Sequence, residues 1–340
     1  MTVPPNENRI NLQHLLKLMG PHGLFEHALF REPRLEHGYC TDDNARAVVI
    51  TAAMEDAAAD AIFDRCLRFV ADAFTPEGFR NRRSSSGDWL DGLGSEDAHG
   101  RAVWGLGVAA RYDRLPPELL PTFDVACLRP LTAPRAIAYA LLGATAAVDH
   151  VDAAPAARAA IARLGGALPA VRPGSWPWPE DRLTYANARI PQAMILVGQT
   201  TGDRLIRNIG LHLLDWLVKV ETGPEGFSFT PVAGRGPGET GPAFDQQPIE
   251  AWAMADACET AALATGGAAW RTHALRAFEW FHGRNDVGVA MYDPATGAGY
   301  DGLEADGANL NCGAESTLSA LGAAQVRERL LAVPATVAAL

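Results

Sequence analysis

Hydrophobic and polar positions alternate along this chain in long blocks rather than residue by residue. Six blocks are apolar on nearly every side and rich in alanine, and each follows a polar loop rich in aromatics, glycine and acids. They begin near Asp43, Asp97, Pro134, Asn187, Pro248 and Ala314. Successive starts lie roughly 37 to 66 residues apart, the spacing of a helical hairpin plus a loop. A helix that is apolar all round is buried, and alanine and glycine on it let neighbouring backbones approach closely. Between the blocks lie stretches with one apolar face. In Arg204 to Val220 that face carries Leu205, Ile209, Leu213, Trp216 and Leu217, at the period of an amphipathic helix. Ala57 to Ala73 and Pro155 to Leu168 have the same character.

Six buried helices alternating with amphipathic ones predict an inner ring inside an outer ring: an all-α fold, an (α/α)6 toroid, with residues 1–340 as a single domain. A bundle or solenoid of hairpins is the competing architecture, but an open solenoid would leave one face of each inner helix wet. Thr41, Asp42, Ser95, Thr132 and Thr184 are good N-cap types at the starts of the inner helices. Pro134 and Pro248 fit the first helical position. In such a fold these N-termini open on one end, where their dipoles favour carboxylates. The loops before them are glycine-punctuated and strand-like. Val289 to Asp293 and Gly299 to Gly302 flank a Pro-Ala-Thr-Gly turn and predict a β-hairpin, so short hairpins should wall the mouth of a pocket.

Acids crowd these helix starts: Asp42 and Asp43, then Glu96 and Asp97, then Glu180 and Asp181, then Asp245 and Glu250, then Glu315. Any one of them could be an ordinary cap. As a set they coincide with Trp89, Trp176, Trp178, Trp252, Tyr39, Tyr185 and Tyr300. Aromatic faces stack on the C–H faces of sugar rings, and carboxylates and amides bond the hydroxyls. Glycoside cleavage needs one protonated and one ionised carboxyl, and clustered acids push one pKa up. Asp43, Asp97, Glu250 and Glu315 are therefore the candidate catalytic groups. Tyr39, Asp42, Arg46, Trp89, His99, Arg101, Trp178, Tyr185, Gln247 and Trp252 are the candidate substrate-binding groups. Of the adjacent pair, Asp42 is expected to cap its helix and Asp43 to face the substrate, because neighbours on a helix point about 100° apart.

Composition narrows the partners. The chain carries a formal net charge of −11 and a pI near 5.3, which repels phosphate backbones and argues against nucleic acid. No apolar run reaches the eighteen residues of a membrane span, and Met1 to Arg9 shows no secretory signal. A cytoplasmic location follows, and five widely spaced cysteines without a CxxC pair read as buried free thiols. No HExxH, P-loop or dinucleotide fingerprint occurs, so neither a metal nor another cofactor is expected. Gly234 to Gly238 reads as a turn.

Two motifs carry a resemblance. Glu36-His37-Gly38-Tyr39-Cys40-Thr41-Asp42-Asp43-Asn44-Ala45-Arg46-Ala47 and Asn311-Cys312-Gly313-Ala314-Glu315-Ser316-Thr317 resemble bacterial six-hairpin domains of the glycosidase-like superfamily, some found beside glycosyltransferases. Trp89 to Arg101 and Asp245-Gln246-Gln247-Pro248 resemble them too. The likeness covers Gly20 to Ala323. It implies the toroid, an oligosaccharide or glycan substrate, and a functional link to a glycosyltransferase. The expected activity is glycoside hydrolysis. The alternatives are a sugar epimerase or polysaccharide lyase leaning on His99 and Tyr185, or a non-catalytic glycan-binding partner of a glycosyltransferase.

Overall fold

The computed structural model describes residues 10–332; the polar stretch Met1 to Arg9 lies outside the described residues. The apolar blocks form helices α2 (Thr41–Thr51), α4 (Glu96–Arg111), α6 (Pro134–Ala147), α8 (Arg189–Thr201), α10 (Pro248–Thr265) and α12 (Ala314–Ala332). Each start lies within two residues of the position read from the pattern. Each helix packs on the next in this order, and α12 packs back on α2, so the six close into a ring. In α4 every residue from Ala98 to Ala110 is buried, as expected for a helix with neighbours on all sides. The outer layer is α1 (Gln13–Leu18), α3 (Ala57–Ala73), α5 (Leu120–Leu128), α7 (Ala154–Gly165), α9 (Arg204–Val220) and α11 (Ala268–Trp280). Helices α3, α7, α9 and α11 each pack on two successive inner helices, α5 lies on α4 and α7, and α1 on α12. The buried stripe of α9 is Gly210, Leu213, Leu214, Leu217 and Val218. Leu205 is not part of it: in the first turn of α9 it is 69% exposed.

Strands among the described residues are two- or three-residue antiparallel pairs in the loops. The predicted hairpin pairs Tyr292–Asp293 with Ala298–Gly299, and a second pairs Gly302–Glu304 with Gly307–Asn309. All five cysteines are buried and free. No described helix is long and apolar enough to cross a membrane.

The helix starts differ from the sequence reading in a systematic way. Ser95 does cap α4, accepting from the Ala98 N–H at 3.1 Å. The other inner helices with identified caps take them from distant residues. At α2 it is Asn81 whose Oδ1 accepts from the Thr41 and Asp42 N–H groups, while Thr41 donates its hydroxyl to the Arg80 carbonyl. Asp42 does not cap. At α6 the Glu96 carboxylate, from the neighbouring helix, accepts from the Thr132 and Ala133 N–H groups, both at 2.7 Å. At α8 the cap is Glu250 of α10, which accepts from the Ala186 and Asn187 N–H groups and from the Asn187 amide. Thr184 only donates its own N–H, to Asn187.

Candidate active site

The N-termini of the inner helices surround a cavity of about 620 Å³ on the ring axis. Helix α4 shows how the sequence builds it. Asp97, Arg101 and Trp104 are spaced four and three residues apart, so they share the axial face at successive depths. Asp97 lines the mouth and Arg101 lies below it. Trp104 lies deeper still, 5.5 Å from both the Tyr139 and Trp252 rings. The Arg189 guanidinium sits 4.7 Å from the Trp104 ring and 4.6 Å from the Trp252 ring. This aromatic layer plugs the bore, and none of its residues is part of the cavity lining.

In the cavity wall, two buried guanidiniums alternate with four carboxylates. Arg101 bonds Asp42 at 2.7 Å and lies 3.4 Å from Asp97, and Tyr185 donates its hydroxyl to Asp97 at 2.7 Å. Arg46 bonds Asp43 at 2.5 Å and Glu315 at 2.6 Å. Asp43 also accepts from the Cys40 thiol at 3.1 Å. Four further carboxyls line the cavity: Glu26, Glu96, Asp245 and Asp301. One oxygen each of Glu26 and Asp43 and the Cys40 sulfur lie within 4.8 Å of one another. Arg82 pairs with Glu26 from outside.

Burial and like charge separate these acids. Glu26 is pushed up to about 7, by burial first and then by the Asp43 charge beside it. Asp43 rises to about 6 because burial outweighs Arg46, with Glu315 adding to the rise. Burial raises Asp301 and Asp245. Asp42 goes the other way: burial opposes ionisation, but Arg101 and Arg46 together hold it below the usual carboxylate range. One cavity thus holds a carboxyl protonated near neutrality and one that stays ionised.

Of the candidate catalytic and substrate-binding residues, the cavity brings together Asp42, Asp43, Arg46, Asp97, Arg101, Tyr185, Gln247 and Glu315. It does not include the rest. Glu250 is buried, spent on the α8 N-terminus, and pushed up by burial and by the nearby Glu221. His99 is 1% exposed. It binds the Ala126 carbonyl at 3.0 Å, and burial drives its pKa down to about 4. Trp252 belongs to the plug. Trp178 is fully buried with its N–H on Glu180, Tyr39 stacks on Phe25 at 4.3 Å, and Trp89 packs on Phe69 and Arg83. Among the described residues no tryptophan lines the axial cavity; its aromatic lining is Tyr185 and His27.

No family model matches the sequence, and no curated protein does. Solved structures do. A sugar epimerase from a ruminal bacterium superimposes with a TM-score of 0.69 at 10% identity, over 95% of this chain and 97% of the other. Cellobiose 2-epimerase from Bacillus thermoamylovorans gives 0.67 at 12% identity, over 95% and 97%. A GH76 alpha-mannanase from Bacteroides thetaiotaomicron gives 0.61 at 13% identity, over 95% and 94%. The fold is an (α/α)6 toroid.

Sequence reasoning missed two acids of this toroid, Glu26 and Asp301. Neither sits at an inner-helix start. Glu26 precedes a two-residue strand, and the Ala314 N–H bonds its carbonyl at 3.0 Å, which ties its loop to the start of α12. Asp301 lies between two hairpins and accepts from the Gly313 N–H and the Ser316 hydroxyl at 2.6 and 2.7 Å. The only signal for Asp301 was its place in a loop read as pocket wall, and nothing in the local sequence marks Glu26.

Proposed function

We propose that the protein is a glycoside hydrolase acting on uncharged oligosaccharides in the axial cavity. The observation that carries this reading is the pairing, in one toroid cavity, of a carboxyl raised to about 7 with carboxylates held by guanidiniums. Glu26 donates its proton to the leaving glycosidic oxygen. Asp97, fixed by Arg101 and the Tyr185 hydroxyl, is the second carboxyl, which stabilises or attacks the developing oxocarbenium centre. Asp43 is a positioning residue: enclosed between Arg46 and Cys40, it keeps the Glu26 proton on at neutral pH. Glu315, paired with Arg46 at the start of α12, and Gln247 are placed to bond hydroxyls. Both arginines are already paired with carboxylates, so an acidic sugar would meet uncompensated negative charge. The likeness to an alpha-mannanase is consistent with this chemistry.

Sugar epimerisation is the second reading, favoured by the likeness to two epimerases. It would use Glu26 and Tyr185 rather than His99. Incubation with manno- and cello-oligosaccharides separates the two: hydrolysis creates new reducing ends, and epimerisation changes the sugar without changing chain length. Glu26→Gln should lower turnover about a hundredfold or more. Turnover that survives in this variant would remove Glu26 as the acid.

A further inference from the structure

A second cavity, of about 520 Å³, opens outside the ring. It lies between the last turn of α9, the loop carrying Trp176, and the segment from Thr222 to Pro242. Unlike the axial cavity, this one is lined by tryptophan. Trp176 and Trp216 line it, edge to face with centroids 5.1 Å apart. Trp178 backs Trp216 in a stack at 6.1 Å, and the Trp176 N–H is fixed on the Glu180 carbonyl at 2.9 Å. The pair is therefore a braced aromatic corner rather than two loose surface rings.

The polar side of the cleft is built from buried groups. Ser228 and Arg235 line it, 4% and 5% exposed. The Ser228 hydroxyl and the Arg235 Nε have no hydrogen-bond partner. Arg235 donates from Nη2 to the Ser228 carbonyl at 3.3 Å and makes no ion pair among the described residues. Two acids near it feel its charge, which favours their ionised forms, but neither makes an ion pair with it among the described residues. Glu221 is buried, bonded to Thr230 and pushed up by burial. Glu239 is clamped by Arg182 at 2.8 and 2.9 Å. An enclosed cation with no anion in direct contact is costly to maintain, and here it sits at the wall of an open cleft. Lys219 adds a second cation at the rim, its side chain 71% exposed and paired with Asp215.

We propose that this cleft is a second carbohydrate site that takes an acidic sugar, its ring against Trp176 and Trp216 and its carboxylate facing Arg235 and Lys219. Stacking supplies the apolar contact, and a guanidinium is the donor best shaped for a carboxylate. The site does not rest on the hydrolase reading, since it needs no turnover. Leu183 pairs with Arg235 through two backbone hydrogen bonds of 2.8 and 3.0 Å, and Tyr185, two residues on, lines the axial cavity. The segment 182–185 thus connects Arg235, at the wall of the outer cleft, to the axial cavity.

Titration calorimetry and tryptophan fluorescence with tetragalacturonate, and with cellotetraose as the neutral counterpart, test the assignment. Tetragalacturonate should bind the full chain and quench tryptophan emission. Arg235→Gln should weaken it about tenfold or more, as loss of a charge-assisted contact does, and Lys219→Ala about threefold. Lys219 is exposed enough that its variant cannot fail by unfolding. Glu26→Gln, in the other cavity, should leave this binding unchanged. The proposal is overturned if tetragalacturonate does not bind, if neither cleft variant weakens it, if cellotetraose binds equally well and is lost in the same variants, or if Glu26→Gln removes the binding.

Discussion

Two adjacent carboxyls at the start of α2 meet opposite surroundings. Asp42 keeps 19% of its side chain exposed and faces Arg101 and Asn81, whereas the Asp43 side chain is 3% exposed between Arg46 and Cys40. Local sequence logic assigns Asp42 the cap, but Asn81 does that work and also donates to Asp42 at 3.0 Å. The energetics then invert. Asn81→Ala removes an N-cap and should cost about 1 kcal/mol. Asp42→Asn leaves Arg101, itself buried, with the 3.4 Å contact to Asp97 as its one ion pair among the described residues, beside the Tyr139 hydroxyl. It should cost about 2 kcal/mol, short of a fully enclosed pair because water reaches Asp42. Urea denaturation of the two variants decides the order; equal losses, or a larger one at Asn81, would mean that Arg101 does not depend on Asp42.

At the scale of elements, the inner helices pack close enough that backbone nearly meets backbone. A Cβ on Gly107 of α4 would lie 2.1 Å from the Gly143 carbonyl oxygen of α6, and one on Gly143 would lie 2.3 Å from the Val103 carbonyl oxygen. Gly143→Ala should therefore cost about 2 kcal/mol or more through overpacking. Gly92→Ala, where nothing lies within 4 Å, should stay within about 0.5 kcal/mol. Denaturant midpoints that fail to separate the two would place α4 and α6 further apart. The ring was legible because burial on all sides leaves a mark in every residue of a helix: α4 and α10 could be read directly. So could Ala57–Ala73, whose single apolar stripe gave both ends of α3. Helices α1, α5 and α11 lack that mark; α5 buries only Phe123, Ala126 and Cys127. The caps were not legible for a different reason. Glu96 serves α6 and Glu250 serves α8, across 36 and 63 or more residues of sequence, and a capping rule confined to one turn cannot see them. The same limit misled the site reading: an acid at an inner-helix start can face the axis, as Asp97 does, or the neighbouring helix, as Glu250 does. Tryptophan carries no sign of which cavity it lines, so Trp176 was read with the mouth although it belongs to the outer cleft.

Eight carboxyls line the cavity where the ring opens, and the raised ones among them bear on how stability responds to pH. Glu26 and Asp43 are raised to about 7 and about 6 in the folded chain, from ordinary values of 4.5 and 3.8. Between those limits the native state holds protons that the unfolded chain has released. Stability from these two groups is thus full below about pH 4 and lost as pH rises through 6 to 7, since rising pH favours unfolding wherever the native state binds more protons. Burial pushes Glu221 and Glu250 the same way. Asp42 opposes them, its depressed pKa withdrawing stability only at strongly acidic pH. A net charge of −11 adds self-repulsion in the same direction as the raised acids, so the trend alone does not locate its source. A variant does. The melting temperature of the native chain should fall between pH 5 and pH 7.5, a loss on the order of 2 kcal/mol. In Glu26→Gln, whose amide cannot titrate, the fall should be shallower and the two curves should converge toward pH 5, where native Glu26 is protonated and likewise neutral. The general charge, changed by one in a total of −11, cannot produce that convergence. Parallel curves for the two proteins across the range would show that Glu26 is ionised throughout, and would withdraw it as the proton donor.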